Sequence, residues 1–192
     1  MELSGLKVGF AFTGSFCTFS DVMSELENLA AAGADITPII SYSVDKYDTR
    51  FGSADQWKMM MEAVTGRKVI KTITEAEPIG PKALFDILVV APCTGNTLAK
   101  LANGITDTPV TMACKAHLRN GRPVLLALST NDGLGINARN IGLLQSCKNI
   151  FFVPYRQDDP QKKRNSLVAR FDLIMPAIQA ALEGKQLEPV LV

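Results

Sequence analysis

The densest run of chemistry-capable side chains is Pro92-Cys93-Thr94-Gly95-Asn96-Thr97, which offers a thiol, two hydroxyls and a carboxamide. Asn96 can both donate and accept, and the hydroxyls of Thr94 and Thr97 do the same. A polar turn at the start of a helix also presents free backbone N–H groups, which favour an anion or a carbonyl. The plainer alternative is a capped turn that holds only its own helix. Three other stretches share this character: Thr13-Gly14-Ser15-Phe16, Ser41-Tyr42-Ser43, and Ser129-Thr130-Asn131-Asp132-Gly133-Leu134-Gly135. Cys93 and Cys17 stand just ahead of helical patterns, where the macrodipole favours a thiolate. Either can instead be a small buried hydrophobe.

Several chemistries are excluded. Gly9 to Gly14 followed by Ser15 copies the spacing of a phosphate loop but lacks its lysine, and the dinucleotide fingerprint G-x-G-x-x-G is absent. The four cysteines, at 17, 93, 114 and 147, form no C-x-x-C pair. The one histidine, His117, lies on the apolar face of a helical pattern and reads as a packed or interface residue. No metal site is expected. With 47% hydrophobic and 20% charged residues and a net charge of +1, the 192-residue chain does not read as a nucleic-acid binder. No apolar run approaches the roughly 18 residues of a membrane span, and the first residues do not read as a signal peptide. The unpaired cysteines suit a cytoplasmic protein with reduced thiols.

The elements that must position these turns follow from periodicity. Strands are expected at Leu6–Phe12, Asp35–Ser41, Lys68–Ile70, Ile87–Ala91, Pro123–Leu128 and, as the last, Ile150–Val153. Pro92 is expected to stop the fourth of these. The run before it is unbroken and apolar, as in a strand buried on both faces. Helices are expected at Thr18–Ala32, from Ser53 to Thr65, through Leu98, Leu101, Ala102 and Ile105, from Thr108-Pro109, and over Ile141–Gln145. Loops are expected at 41–52, 75–81 and 155–164. A final helix from Ser166 would align Leu167, Phe171, Ile174, Ile178 and Leu182, with a kink at Pro176. The pattern predicts one α/β domain over 1–192: a doubly wound, mostly parallel, Rossmann-like sheet of five to six strands with helices on both faces. The polar turns then gather at the carboxyl edge of the sheet, where ligands bind in such folds.

These residues carry a resemblance. Ala91 to Asp107, with Asn96-Thr97 and a downstream Ala102-Asn103-Gly104-Ile105-Thr106-Asp107, is similar to the Pro-Ala-Ser-Ala-Asn-Thr segment and the Ala-Asn-Gly-x-x-Asp of the flavin-binding cysteine decarboxylases and flavin prenyltransferases. Gly14-Ser15 matches their first-turn flavin site. The resemblance implies FMN as cofactor. It would place Gly14, Ser15 and Ser41 or Ser43 near the phosphate or ribityl chain and Thr94, Asn96 and Ser129 near the ring side, with Phe16, Pro92, Gly95, Thr97 and Thr130 as further cofactor-binding residues. Cys93 and Asn96 are the candidate catalytic groups. The departures are specific. No histidine precedes His117, where the decarboxylases use one. Met112 and Ser129-Thr130-Asn131 stand near where the prenyltransferases need arginines.

The branch of this family that the chain most resembles is an oxidoreductase B subunit. It works with an A subunit of the nicotinamide-dinucleotide type and aromatises a small dicarboxylate. That substrate would need cations, for which Arg50, Lys100, Arg139 and Arg156 are the candidates. The basic run Lys162-Lys163-Arg164 reads as solvated surface. The resemblance also implies a trimer-based homo-oligomer, with Phe16, Phe19, Phe51 and Trp57 as candidate interface residues. The alternatives are a stand-alone decarboxylase-type flavoenzyme and a non-catalytic structural subunit.

Overall fold

A computed structural model describes residues 3–192; the first two positions of the N-terminal reading lie outside the described residues. Five parallel strands form the centre: β1 (Lys7–Phe12), β2 (Asp35–Ile40), β3 (Ile87–Cys93), β4 (Val124–Thr130) and β5 (Ile150–Phe152). β3 is buried over its whole length and β4 over all but its last residue, which is why both read as unbroken apolar runs. The helices α1 (Phe19–Ala31) and α8 (Ile174–Leu182) pack together on one face. The helices α5 (Gly95–Ala102), α6 (Pro109–Leu118) and α7 (Ala138–Gln145) form the other layer.

Two further strands, β6 (Tyr155–Asp159) and β7 (Lys163–Ala169), form a hairpin. The sheet therefore has seven strands and is mixed, in the order β2-β1-β3-β4-β7-β6 with β5 also on β4. The outer edge of β4 is divided between two partners. Val124–Leu126 pair with β5 in parallel, while Ser129 and Thr130 pair with Val168 and Leu167 of β7 in antiparallel fashion. This corrects the expected charged loop and the helix from Ser166. Leu167 fits a period of two with Ala169 as well as a helical spacing with Phe171, and the open carboxyl end of β4 decides for the strand. The last helix therefore begins only at Ile174, and Pro176 falls in its first turn, where no intrahelical N–H is lost.

Four smaller differences follow from local chemistry. Strand β3 runs through Pro92 to Cys93, because its register with β4 is irregular between Val90 and Cys93 and does not require the missing N–H there. Residues 42–46 form a short helix, α2 (Tyr42–Lys46), which starts at Ser41. The expected loop at 75–81 opens as helix α4 (Ile73–Ala76), whose Thr72–Glu75 capping box makes it viable at that length, followed by a 3₁₀ turn over Glu77–Ile79. The expected strand at Lys68–Ile70 is reduced to a bridge between Ile70 and Ile39. Helix α3 (Ala54–Thr65) starts where expected, with Ser53 accepting from the Gln56 N–H at 3.2 Å.

Candidate functional site

The carboxyl edge of the parallel strands carries two adjoining cavities, of about 770 Å³ and 250 Å³. Gly14 and Thr94 line both and form the wall between them. That wall is built by a buried hydroxyl. Thr13 Oγ1 donates to the Pro92 carbonyl at 2.6 Å and accepts from the Thr94 N–H at 3.0 Å, locking the end of β1 to the end of β3. Thr94 then caps α5 by accepting from the Thr97 N–H at 3.3 Å.

The smaller cavity is a hydroxyl cradle. Ser41, Ser43, Thr94, Thr97 and Thr108 line it, with Asn96, Lys46 and Lys100. Ser41 and Ser43 bond each other at 3.0 Å. A Cβ added at Gly14 would lie 2.9 Å from Ser43 Oγ, so glycine keeps this cradle open. Lys100 is held by Asp107 at 2.7 Å, whereas the Lys46 ammonium rests over the Tyr42 ring at 5.4 Å. Lys46 and the hydroxyls suit an anion such as a phosphate.

The larger cavity lies between α1 and the hairpin β6–β7. Ser15, Cys17, Ser129, Thr130 and Asn131 form its floor and lip. Asp21, Ser24 and Glu25 of α1 face Arg156, Asp158, Lys163 and Ser166 of the hairpin, with Arg170 and Asp172 at its end. Lys163 is tied to Asp158 at 2.6 Å, and Arg170 makes two bonds to Asp172, at 2.9 and 2.7 Å. Partial burial raises the Glu25 carboxyl, a bond from Asn28 lowers it, and the nearby charge of Asp172 raises it further. Gly95 also has no room for a side chain, since a Cβ there would meet Thr130 Oγ1 and Asn137 Nδ2 at 2.6 Å.

Most of the residues singled out from the sequence meet at these cavities: Gly14, Ser15, Ser41, Ser43, Thr94, Gly95, Asn96, Thr97, Ser129 and Thr130 all line one or both. Others do not. Cys93 is buried in the sheet with 0% exposure, and burial pushes its thiol well above the usual range. Its expected position beside a ligand is corrected, because the strand continues past Pro92 and carries Cys93 into the core. Pro92 is likewise buried behind the wall, and Phe16 packs on Phe19 with ring centroids 5.1 Å apart. Arg50 is exposed over Phe51, 4.8 Å from its ring centroid, and Arg139 is exposed on α7; neither lines a cavity. Lys100 lines the smaller cavity but is ion-paired.

Asp21, Glu25, Lys163 and Arg170 were not anticipated. The signal available for Lys163 was the short apolar run Leu167-Val168-Ala169, which suits a strand. His117 is buried at 1% exposure near Phe85, Asp86 and Pro123, at the amino ends of β3 and β4 and so at the opposite edge of the sheet from both cavities.

The flavoprotein family model matches residues 1–178. The chain is 49% identical over 191 residues to the B subunit of dipicolinate synthase of Bacillus subtilis (strain 168), covering 100% of this chain and 96% of that protein. The crystal structure of the dipicolinate synthase B subunit from Bacillus halodurans C superposes with a TM-score of 0.92 at 46% identity, over 100% of this chain and 98% of that one. The crystal structure of SpaF, an FMN-dependent cysteine decarboxylase, aligns with a TM-score of 0.68 at 22% identity over 94% of this chain and 97% of its own, which is a likeness of fold.

Proposed function

This chain belongs to the flavoprotein family, and from that premise we propose that it is an FMN-binding B subunit of dipicolinate synthase. It acts with its A-type partner to oxidise a dihydrodipicolinate-type precursor to pyridine-2,6-dicarboxylate in the cytoplasm of a sporulating cell. The full-length identity to the Bacillus subtilis protein supports the reaction class. The observation that carries the reading is the pair of cavities meeting at Gly14 and Thr94, one a hydroxyl cradle and the other walled by a cationic hairpin. A cofactor and a small anionic substrate would lie side by side there.

The residues present fit FMN. Gly14 leaves the cradle open beside Ser43, and the Ser41–Ser43 pair, Thr97 and Lys46 offer donors to a phosphate. Ser15, Thr94, Gly95, Ser129 and Thr130 would face the remainder. Bound flavin would supply a two-electron acceptor for a ring oxidation. The chain's own part is to orient the substrate and exclude water. Asn96, at the exposed start of α5, offers a carboxamide at the cradle's edge. The stand-alone decarboxylase alternative is weakened by the absence of any histidine at either cavity among the described residues.

A trimer-based homo-oligomer fits the exposed apolar side chains of Tyr47, Phe51, Met59 and Met60, on α3 and the loop before it. Phe19 and Trp57, expected at such an interface, are instead core residues at 0% and 5% exposure. The test of the function is a titration of FMN, followed by fluorescence quenching, with turnover then measured with and without the A-type partner. Saturable binding and turnover that requires both proteins are expected. No saturable binding at tens of micromolar overturns the cofactor assignment, and turnover by this chain alone overturns the two-component reading.

A further inference from the structure

We propose that Arg156 binds a carboxylate of the substrate, so that the β6–β7 hairpin selects acidic ring compounds over neutral ones. This rests on the oxidoreductase reading above and names the group that recognises its substrate.

The argument begins with strand periodicity. On β6, Tyr155 is buried, with its hydroxyl bonded by Gln145 Nε2 at 3.1 Å. Alternation then puts Arg156 and Asp158 on the opposite side, where both line the larger cavity. Of the three hairpin-side cations at this cavity, two are already neutralised: Lys163 by Asp158 and Arg170 by Asp172. Arg156 has no hydrogen bond or ion pair among the described residues, so its guanidinium is the cation left for a ligand.

The facing wall points the same way. Asp21 and Glu25 of α1 make that side acidic. Partial burial first, and the charge of Asp172 to a smaller degree, raise the Glu25 carboxyl there. An incoming carboxylate is repelled by α1 and drawn to the hairpin. A guanidinium matches a carboxylate with two parallel N–H donors, which an ammonium cannot do. The Asn131 carboxamide, which accepts from Ser166 through Oδ1, keeps its NH2 group as a neutral donor in the cavity for the rest of a polar ring.

The test uses the full chain loaded with FMN and isothermal titration with pyridine-2,6-dicarboxylate, with unsubstituted pyridine as the neutral probe. Wild type should bind the dicarboxylate and not pyridine. Arg156→Ala should weaken the dicarboxylate roughly 10- to 100-fold, while its FMN affinity and thermal midpoint stay unchanged. Arg156→Lys should recover part of the loss. Arg50→Ala and Arg139→Ala, which lie outside the cavities, should match wild type. Dicarboxylate binding unaffected by Arg156→Ala overturns the assignment and leaves the function standing. FMN binding without any dicarboxylate binding in wild type overturns the assignment and the proposed substrate together. Failure to bind FMN, with dicarboxylate binding still lost on Arg156→Ala, overturns the cofactor reading alone.

Discussion

The side-chain hydroxyls of Ser15 and Ser129 meet at 2.6 Å, joining the turn after β1 to the end of β4 across 114 positions of sequence. This contact closes the floor of the larger cavity and fixes where the first turn sits relative to the wall at Gly14 and Thr94. It also makes Ser15 the most direct reporter of an anionic ligand at that turn.

Replacing Ser15 with aspartate puts a fixed negative charge there. With FMN held against Gly14 and its phosphate in the neighbouring cradle, Ser15→Asp should weaken FMN binding by roughly tenfold or more, by putting a charge beside the part of the flavin that Ser15 faces and by breaking the Ser15–Ser129 contact. Ser129→Ala removes only one partner of the neutral pair and should cost roughly threefold. Fluorescence-quenching titrations of the two variants compare them directly. Equal affinity of Ser15→Asp and wild type would mean that FMN does not reach this turn.

The four cysteines should divide by burial. Cys93 and Cys114 are buried, and burial holds the first thiol well above its usual range and pushes the second up to about 12. Cys17, at the lip of the larger cavity, and Cys147, after α7, are exposed. Alkylation of the native protein at neutral pH, read by peptide mass spectrometry, should mark Cys17 and Cys147 and spare the other two until denaturant is added. Bound FMN should slow Cys17 and leave Cys147 unchanged. Cys93→Ala should keep its turnover in the two-component enzyme. Early labelling of Cys93 in the folded state would place it back beside the ligand.

His117 should set part of the acid sensitivity. Burial, and then the nearby charge of Arg122, lower its imidazole from 6.5 to about 4, against smaller opposing effects from the Pro123 backbone and Asp86. The folded state therefore holds His117 neutral. Between pH 6.5 and about 4 the unfolded chain binds the extra proton, so stability is complete above 6.5 and falls as pH drops through this window. The loss should reach roughly 3 kcal/mol at the acid end. Urea midpoints of wild type and His117→Gln, measured from pH 7 to 4, should diverge in slope across that range. Parallel curves would assign the acid sensitivity to the carboxylates alone.

What the amino-acid sequence determined by itself was whatever depends on neighbours along the chain. Strands β1 to β4 were legible because burial on both faces demands continuous apolar runs, as in Ile87–Ala91. The starts of α3 and α6 were legible because Ser53 and Thr108 bond N–H groups only three residues away, whereas α5 begins at Gly95, inside the stretch expected to be a turn. The polar turns were placed at the right edge because parallel strands put every βα turn on one side. Tertiary structure decided what depends on a distant partner. Residues 163–169 became a strand only because the end of β4 offered unpaired backbone groups to Leu167 and Val168. That pairing is what turns Arg156 toward the cavity, while Arg50 and Arg139, alike in composition, remain on the outer surface. Cys93 went the other way, drawn into the core when β3 ran past Pro92, because the pairing of β4 at Val90 to Cys93 makes no use of the N–H that proline lacks.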